Sequence, residues 1–144
     1  MTKMAIPLTL LVLYVITSPP VSKAQSVPAP VRQEVLGYLK KQQACKGEYV
    51  QFEVESVKVG PRKSGFIGSC RYGGGISVLY EKTPRGIRKL LEVEVAMNGE
   101  FGPSDKVNGG YYDMGVLGRS GGEMYGTTYR WNGSRYVLHK SDSR

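Results

Sequence analysis

Between Val50 and Leu138 the chain reads as short runs of alternating apolar and polar residues, cut apart by turn residues. Val50, Phe52 and Val54 alternate with Gln51, Glu53 and Glu55; Leu91, Val93, Val95 and Met97 alternate with Glu92 and Glu94. Period two sends successive side chains to opposite faces of an extended strand, so each run predicts a half-buried strand. The alternation slips by one at Ser56 before Val57 and Val59, which predicts a bulge there. Phe66–Tyr72, Ile76–Lys82, Ile87–Met97, Tyr111–Leu117, Thr127–Trp131 and Ser134–Leu138 are the further strands expected. Loops are expected at 61–65, 73–75 and 118–122. Thr83-Pro84-Arg85-Gly86 has Pro and Gly where a type I turn wants them. Asn98-Gly99, Asn108-Gly109 and Asn132-Gly133 are hairpin signals.

One helix precedes these strands. Val31, Val35, Tyr38/Leu39 and Gln42/Ala44 recur near the helical period, with Arg32, Gln33, Lys40 and Lys41 opposite. Pro30 suits a first turn, Lys40, Lys41 and Lys46 suit the negative end of the dipole, and Gly47 suits a stop. Gly37 weakens the helix by ~1 kcal/mol relative to Ala. The expectation is a helix over 30–44 ending in Cys45. A helix beside a run of strands predicts an α+β fold, with one N-terminal helix packed on a curled antiparallel sheet of five to seven strands.

The first 24 residues read as a secretory leader. Lys3 is followed by the uncharged run Pro7–Ile16, the break Thr17-Ser18-Pro19-Pro20, and small residues Ser22 and Ala24 flanking Lys23. Cleavage after Ala24 leaves 25–144 as one domain. A retained N-terminal anchor is the alternative, although the run is short for a ~30 Å hydrocarbon core. Of the 20 basic residues, Lys3 and Lys23 leave with the leader, so 18 basic and 12 acidic residues give the mature chain +6. Such a balance attracts polyanions, or serves solubility alone. Export places the protein in the periplasm or outside the cell and favours a disulfide between the two cysteines, Cys45 and Cys70. Closing that loop would restrict the unfolded chain by roughly 3 kcal/mol. With His139 the only histidine, the pair makes a poor zinc set, and no metal or cofactor is expected.

Catalytic patterns fare poorly. Gly118-Arg119-Ser120-Gly121-Gly122 has the letters of a nucleophile elbow, but Glu123-Met124-Tyr125-Gly126 does not begin the required helix. Glu53/Glu55 and Glu92/Glu94 pair carboxylates as a glycosidase would, yet alternation already accounts for them as the wet face of a sheet. His139 adjoins a polar tail and reads as a surface residue. No catalytic residue is assigned.

The last hairpin carries the candidate site. A two-residue turn at Asn132-Gly133 sets Trp131 opposite Ser134, Arg130 opposite Arg135 and Tyr129 opposite Tyr136. Thr127, Tyr129, Trp131, Ser134, Tyr136 and Leu138 then share one face. Opposed like charges destabilise a sheet, so Arg130 and Arg135 either share an internal acid (Glu92, Glu94 or Glu123) or await an external anion, which Arg binds bidentately. A longer turn would shift this register. Asn132-Gly133-Ser134 is also a glycosylation sequon, although the turn explains it.

Tyr129, Trp131, Gly133 and Tyr136, together with 108–116, resemble one degenerate blade of the FG-GAP or VCBS-like repeats, whose later hairpin reads Y-x-W-x-G-x-x-Y. The ending also resembles those of small exported bacterial proteins of unassigned role. The resemblance implies a hairpin only. The calcium loop of those repeats is not matched, because Asp105, Asn108 and Asp113 are differently spaced and Lys106 falls among them.

The functional expectation is an exported, non-enzymatic binding domain, with Arg130 and Arg135 as binding residues and an anionic envelope polymer, glycan or protein as partner. Nucleic acid is not expected, nor is a membrane-spanning segment after cleavage. A proteinaceous inhibitor or immunity-type partner of an extracytoplasmic hydrolase is the second reading, since rigid loops lose little entropy on binding. A small enzyme of unrecognised type is the third.

Overall fold

The computed structural model describes residues 27–72, 75–120 and 123–143. The expected leader, its cleavage site after Ala24, and Gly73, Gly74, Gly121 and Gly122 lie outside them. Helix α1 (Ala29–Lys41) and a 3-10 turn (Gln43–Cys45) precede eight strands: β1 (Gln51–Gly60), β2 (Lys63–Arg71), β3 (Ile76–Thr83), β4 (Gly86–Glu94), β5 (Glu100–Asn108), β6 (Tyr111–Ser120), β7 (Glu123–Trp131) and β8 (Tyr136–Ser143). The strands form two four-stranded antiparallel meanders, sheet A (β1-β2-β3-β4) and sheet B (β5-β6-β7-β8).

This corrects the expected α+β fold with one sheet of five to seven strands. The protein is mostly β, and its short helix is one outer layer of three. The reason lies in sheet A, which is apolar on both faces. Val54, Phe66, Cys70, Ile76, Val78 and Tyr80 pack with Val35 and Leu39 of α1. On the other face Val59, Ile67 and Leu79 pack with Tyr111, Met114 and Tyr136 of sheet B. A further patch joins Val93 and Val95 to Val116. One helix covers one face, so the second face requires a second sheet.

Double coverage explains the central strands. Every residue of Gly65–Cys70 and of Gly75–Glu81 is buried, and such strands read as near-continuous apolar or small runs. It also removes the bulge expected at Ser56. Pairing runs unbroken from Gln51↔Arg71 to Lys58↔Ser64. Phe52 and Val54 face the helix, whereas Val57 and Val59 face sheet B. The parity changes by Val57, where pairing is still regular, because the covering layer changes; the strand does carry a bulge, further on at Val59 between Lys58 and Gly60.

Helix α1 sits close on β2. A Cβ placed on Gly68 would come within 2.2 Å of Val35 Cγ1, so glycine is what admits the helix. The helix ends at Lys41, earlier than expected; the Gln42 N–H donates to Leu39 O, and Cys45 in the 3-10 turn is bonded to Cys70 of β2, with Cα atoms 5.6 Å apart. The disulfide fixes the carboxyl end of α1 to the sheet that the helix covers.

Among the described residues, one face of sheet B is covered. Its first strand, β5, was not anticipated: Gly102 and Pro103 interrupt any β pattern, and an edge strand tolerates both. Of the loop expected at 118–122, residues 118–120 are strand, because β6 runs to Ser120, and β7 begins at Glu123.

Candidate anion-binding surface

The final hairpin closes through four residues, not two. Asn132 Oδ1 accepts from the Ser134 and Arg135 backbone N–H groups, each at 3.0 Å, and the Asn132 N–H donates to Arg135 O at 2.9 Å. That side-chain turn moves the register, pairing Trp131 with Tyr136, Arg130 with Val137 and Tyr129 with Leu138. Arg130 therefore does not oppose Arg135, which lies exposed in the turn. The expected aromatic face is altered too: Ser134 is in the turn, and Leu138 is 62% exposed. Trp131 and Tyr136 do meet. Trp131 stacks on Tyr111 with centroids 4.0 Å apart, and Tyr136 meets both rings edge-on.

Arg130 has an internal partner, Asp113, which was not among the acids considered for it. Arg130 donates to both Asp113 carboxylate oxygens, at 2.9 and 3.2 Å for Oδ2 and 3.2 Å for Oδ1, and Asn108 Nδ2 donates to Oδ1 at 2.9 Å. The Arg130 bonds, opposed by burial and helped by Asn108 and the charges of Arg130 and His139, hold the Asp113 carboxyl below its ordinary pKa. Both residues lie on the outer face of sheet B.

A second buried carboxylate sits where the sheets meet. Glu81 ends the apolar run of β3 and accepts from Tyr111 Oη and Arg88 Nη2, both at 2.7 Å, while Lys63 Nζ lies 3.6 Å away. Burial alone would raise its pKa; the Tyr111 and Arg88 bonds and the charges of Lys63 and Arg88 outweigh it and leave the group below its ordinary value. Lys63 also lies over the Tyr111 ring, 5.0 Å from its centroid.

Around Glu81 the hairpin ends of sheet A gather charge of one sign. Residues 58–64 and 81–88 hold six cations (Lys58, Arg62, Lys63, Lys82, Arg85 and Arg88) and a single acid, Glu81. Antiparallel order brings the β1–β2 and β3–β4 turns to the same end. Lys63 and Arg88, on the sheet B side, are occupied by Glu81. Lys58, Arg62, Lys82 and Arg85 are exposed and have no carboxylate partner among the described residues. The β7–β8 turn lies at this end as well, since Trp131 stacks on the Tyr111 ring beneath Lys63, and it adds Arg135.

On the helix side of this end is an open cavity of about 560 Å³. Its lining includes Lys58, Ser64 and Lys82 but no acid. Lys58 pairs with Ser64 and Gly65 with Glu81, so the three stand in one row across β1, β2 and β3. No local pattern announces this row, which exists only once the register is set.

The remaining candidates do not converge. Glu53 and Glu55 lie on β1 and Glu92 and Glu94 on β4, the opposite edges of sheet A, roughly 14 Å apart at ordinary strand spacing. His139 is the extra residue of a bulge, between Lys140 paired with Thr128 and Leu138 paired with Tyr129. Among the described residues no group of three or more His, Cys, Asp or Glu could hold a metal ion, and no helix is long and apolar enough to cross a membrane. The disulfide is compatible with an extracytoplasmic protein. No protein family, curated protein or solved structure matches this chain.

Proposed function

We propose that this chain is an exported, non-enzymatic binding domain that holds an anionic polymer of the cell envelope at the basic end of sheet A. The reading rests on one observation: four exposed cations, Lys58, Arg62, Lys82 and Arg85, share an end whose sole acid, Glu81, is buried and already taken. Were the positive balance for solubility alone, nothing would require its concentration beside a carboxylate that is bonded to Lys63, Arg88 and Tyr111 instead. Arg135 extends the surface. Arg130 is held by an internal acid, Asp113, and stays outside this surface. Arginines at the turn tips suit a polymer, because a guanidinium fork engages successive anionic groups with a defined geometry.

Retention on a polyanion column, read as the salt needed for elution, tests this. Arg62→Gln with Arg85→Gln should elute at clearly lower salt than the parent. Lys40→Gln with Lys41→Gln removes the same charge from the far end of α1 and should shift elution less. Equal shifts from the two double variants would mean that net charge alone governs retention, and the site would be lost.

A further inference from the structure

We infer that the cavity between Lys58 and Lys82 seats one phosphate group of that polymer, an inference that rests on the reading above and names the chemistry of its repeating charge. Lys58, Ser64 and Lys82 follow one another across three adjacent strands on one face. Strand spacing puts the two lysines roughly 10 Å apart at Cα with Ser64 midway. Their long side chains can lean inward above the serine, so that two ammonium groups and one hydroxyl reach a common point. The cavity at that point is about 560 Å³, and its other lining residues, among them Pro28, Gly65 and Phe66, bring no competing acid.

This donor set distinguishes between anions. A carboxylate is planar and is matched best by the parallel N–H groups of an arginine fork. A phosphate is tetrahedral and presents oxygens in several directions. Two compact ammonium charges approaching from opposite sides, with a hydroxyl below, meet that shape without requiring coplanarity. Arginine is absent from the row and present at the rim, at Arg62 and Arg85, where successive groups of a polymer would pass. Neither Lys58 nor Lys82 has a partner among the described residues, so binding breaks no ion pair.

The test compares long-chain polyphosphate with polyglutamate of matched charge by titration calorimetry, with inorganic phosphate as competitor. The parent should prefer polyphosphate, and inorganic phosphate should reduce that preference. Ser64→Ala keeps the charge and should lower polyphosphate affinity several-fold with little change for polyglutamate. Lys58→Gln and Lys82→Gln should each lower it about tenfold, as expected for a lost charge-assisted hydrogen bond. Melting temperatures verify that the variants fold. If all three leave the preference unchanged while Arg62→Gln with Arg85→Gln weakens both polymers, the seat is wrong and the basic end stands. If the parent binds neither polymer, both ideas fall together.

Discussion

Sheets A and B share a topology and differ in what covers them. Each is a four-stranded antiparallel meander. Sheet A lies between α1 on one side and sheet B on the other, whereas no second layer among the described residues covers the outer face of sheet B. The difference shows in composition. The central strands of sheet A are buried without interruption from Gly65 to Cys70 and from Gly75 to Glu81. Sheet B places Glu100, Gly102, Thr128 and Arg130 on its open face. It also decides where charge can be exposed. In sheet A charge is exposed along the edge strands β1 and β4 and at the hairpin ends, and the unpartnered cations Lys58, Arg62, Lys82 and Arg85 collect at one end.

The shared core is the sharpest place to break this arrangement. Leu79 is fully buried and packs among Tyr111, Met114 and Tyr136 of sheet B. Leu79→Ala should cost about 2–5 kcal/mol, the transfer of the lost methyl groups plus the cavity left behind. Because the residue joins the sheets, denaturant unfolding should remain a single transition at a lower midpoint. Two separated transitions would show that sheet B holds together without sheet A.

Glycine in the two sheets offers a contrast of sign. Gly68→Ala pushes a methyl against Val35 Cγ1, 2.2 Å from the ideal Cβ position. Overpacking of this kind costs about 1–3 kcal/mol. Gly102 has nothing within 4 Å of its Cβ position and no positive φ. Gly102→Ala should therefore stabilise by up to about 1 kcal/mol, through the lower backbone entropy of the unfolded chain. Thermal melts of the two variants decide this, and a loss of stability at Gly102 would mean that the outer face of sheet B is covered after all.

The same contrast accounts for what could be read from the residues. Within the expected strand Ile87–Met97, the alternation from Leu91 to Val95 is clean because Leu91, Val93 and Val95 face sheet B while Glu92 and Glu94 stay wet, whereas Leu90 is the extra residue of a bulge and Met97, expected on the same face, is exposed. The helix was visible through Val31, Val35 and Leu39, and the disulfide through an even cysteine count. The second sheet was not visible, since whether strands following one another share a sheet is a long-range matter. The parity change after Val54 was its trace, and the same letters fit a bulge. The Asn132-Gly133 turn misled for a local reason: the Asn132 side chain accepts bonds from Ser134 and Arg135 and lengthens the turn, which moves Arg135 away from Arg130. Glu81, one acid at the end of an apolar run, was the available signal of a buried polar site. The row of Lys58, Ser64 and Lys82 had none, because its members are brought together by pairing across three strands.

The smallest effect expected is at acid pH, where the two buried carboxylates part company. Glu81 and Asp113 both have pKa values below their ordinary ones. Unfolded glutamate and aspartate titrate near pH ~4. Each therefore contributes stability that is complete above that pH and is lost as the pH falls through the folded value. Glu81→Gln and Asp113→Asn should each flatten the acid limb of a melting-temperature profile and converge with the parent at its acid end. Of the two, Glu81 is the one hydrogen-bonded to the aromatic cluster. It accepts from Tyr111, whose ring stacks on Trp131, the single tryptophan of the chain. Protonating Glu81 weakens its hold on Arg88 and Tyr111 and alters the surroundings of that indole. Asp113 is held by Arg130 and Asn108 on the other side of sheet B. Tryptophan fluorescence should thus show an acid step before global unfolding in the parent and in Asp113→Asn, and none in Glu81→Gln. A step that survives in Glu81→Gln and disappears in Asp113→Asn would reverse the assignment of the two carboxylates to the junction and the open face.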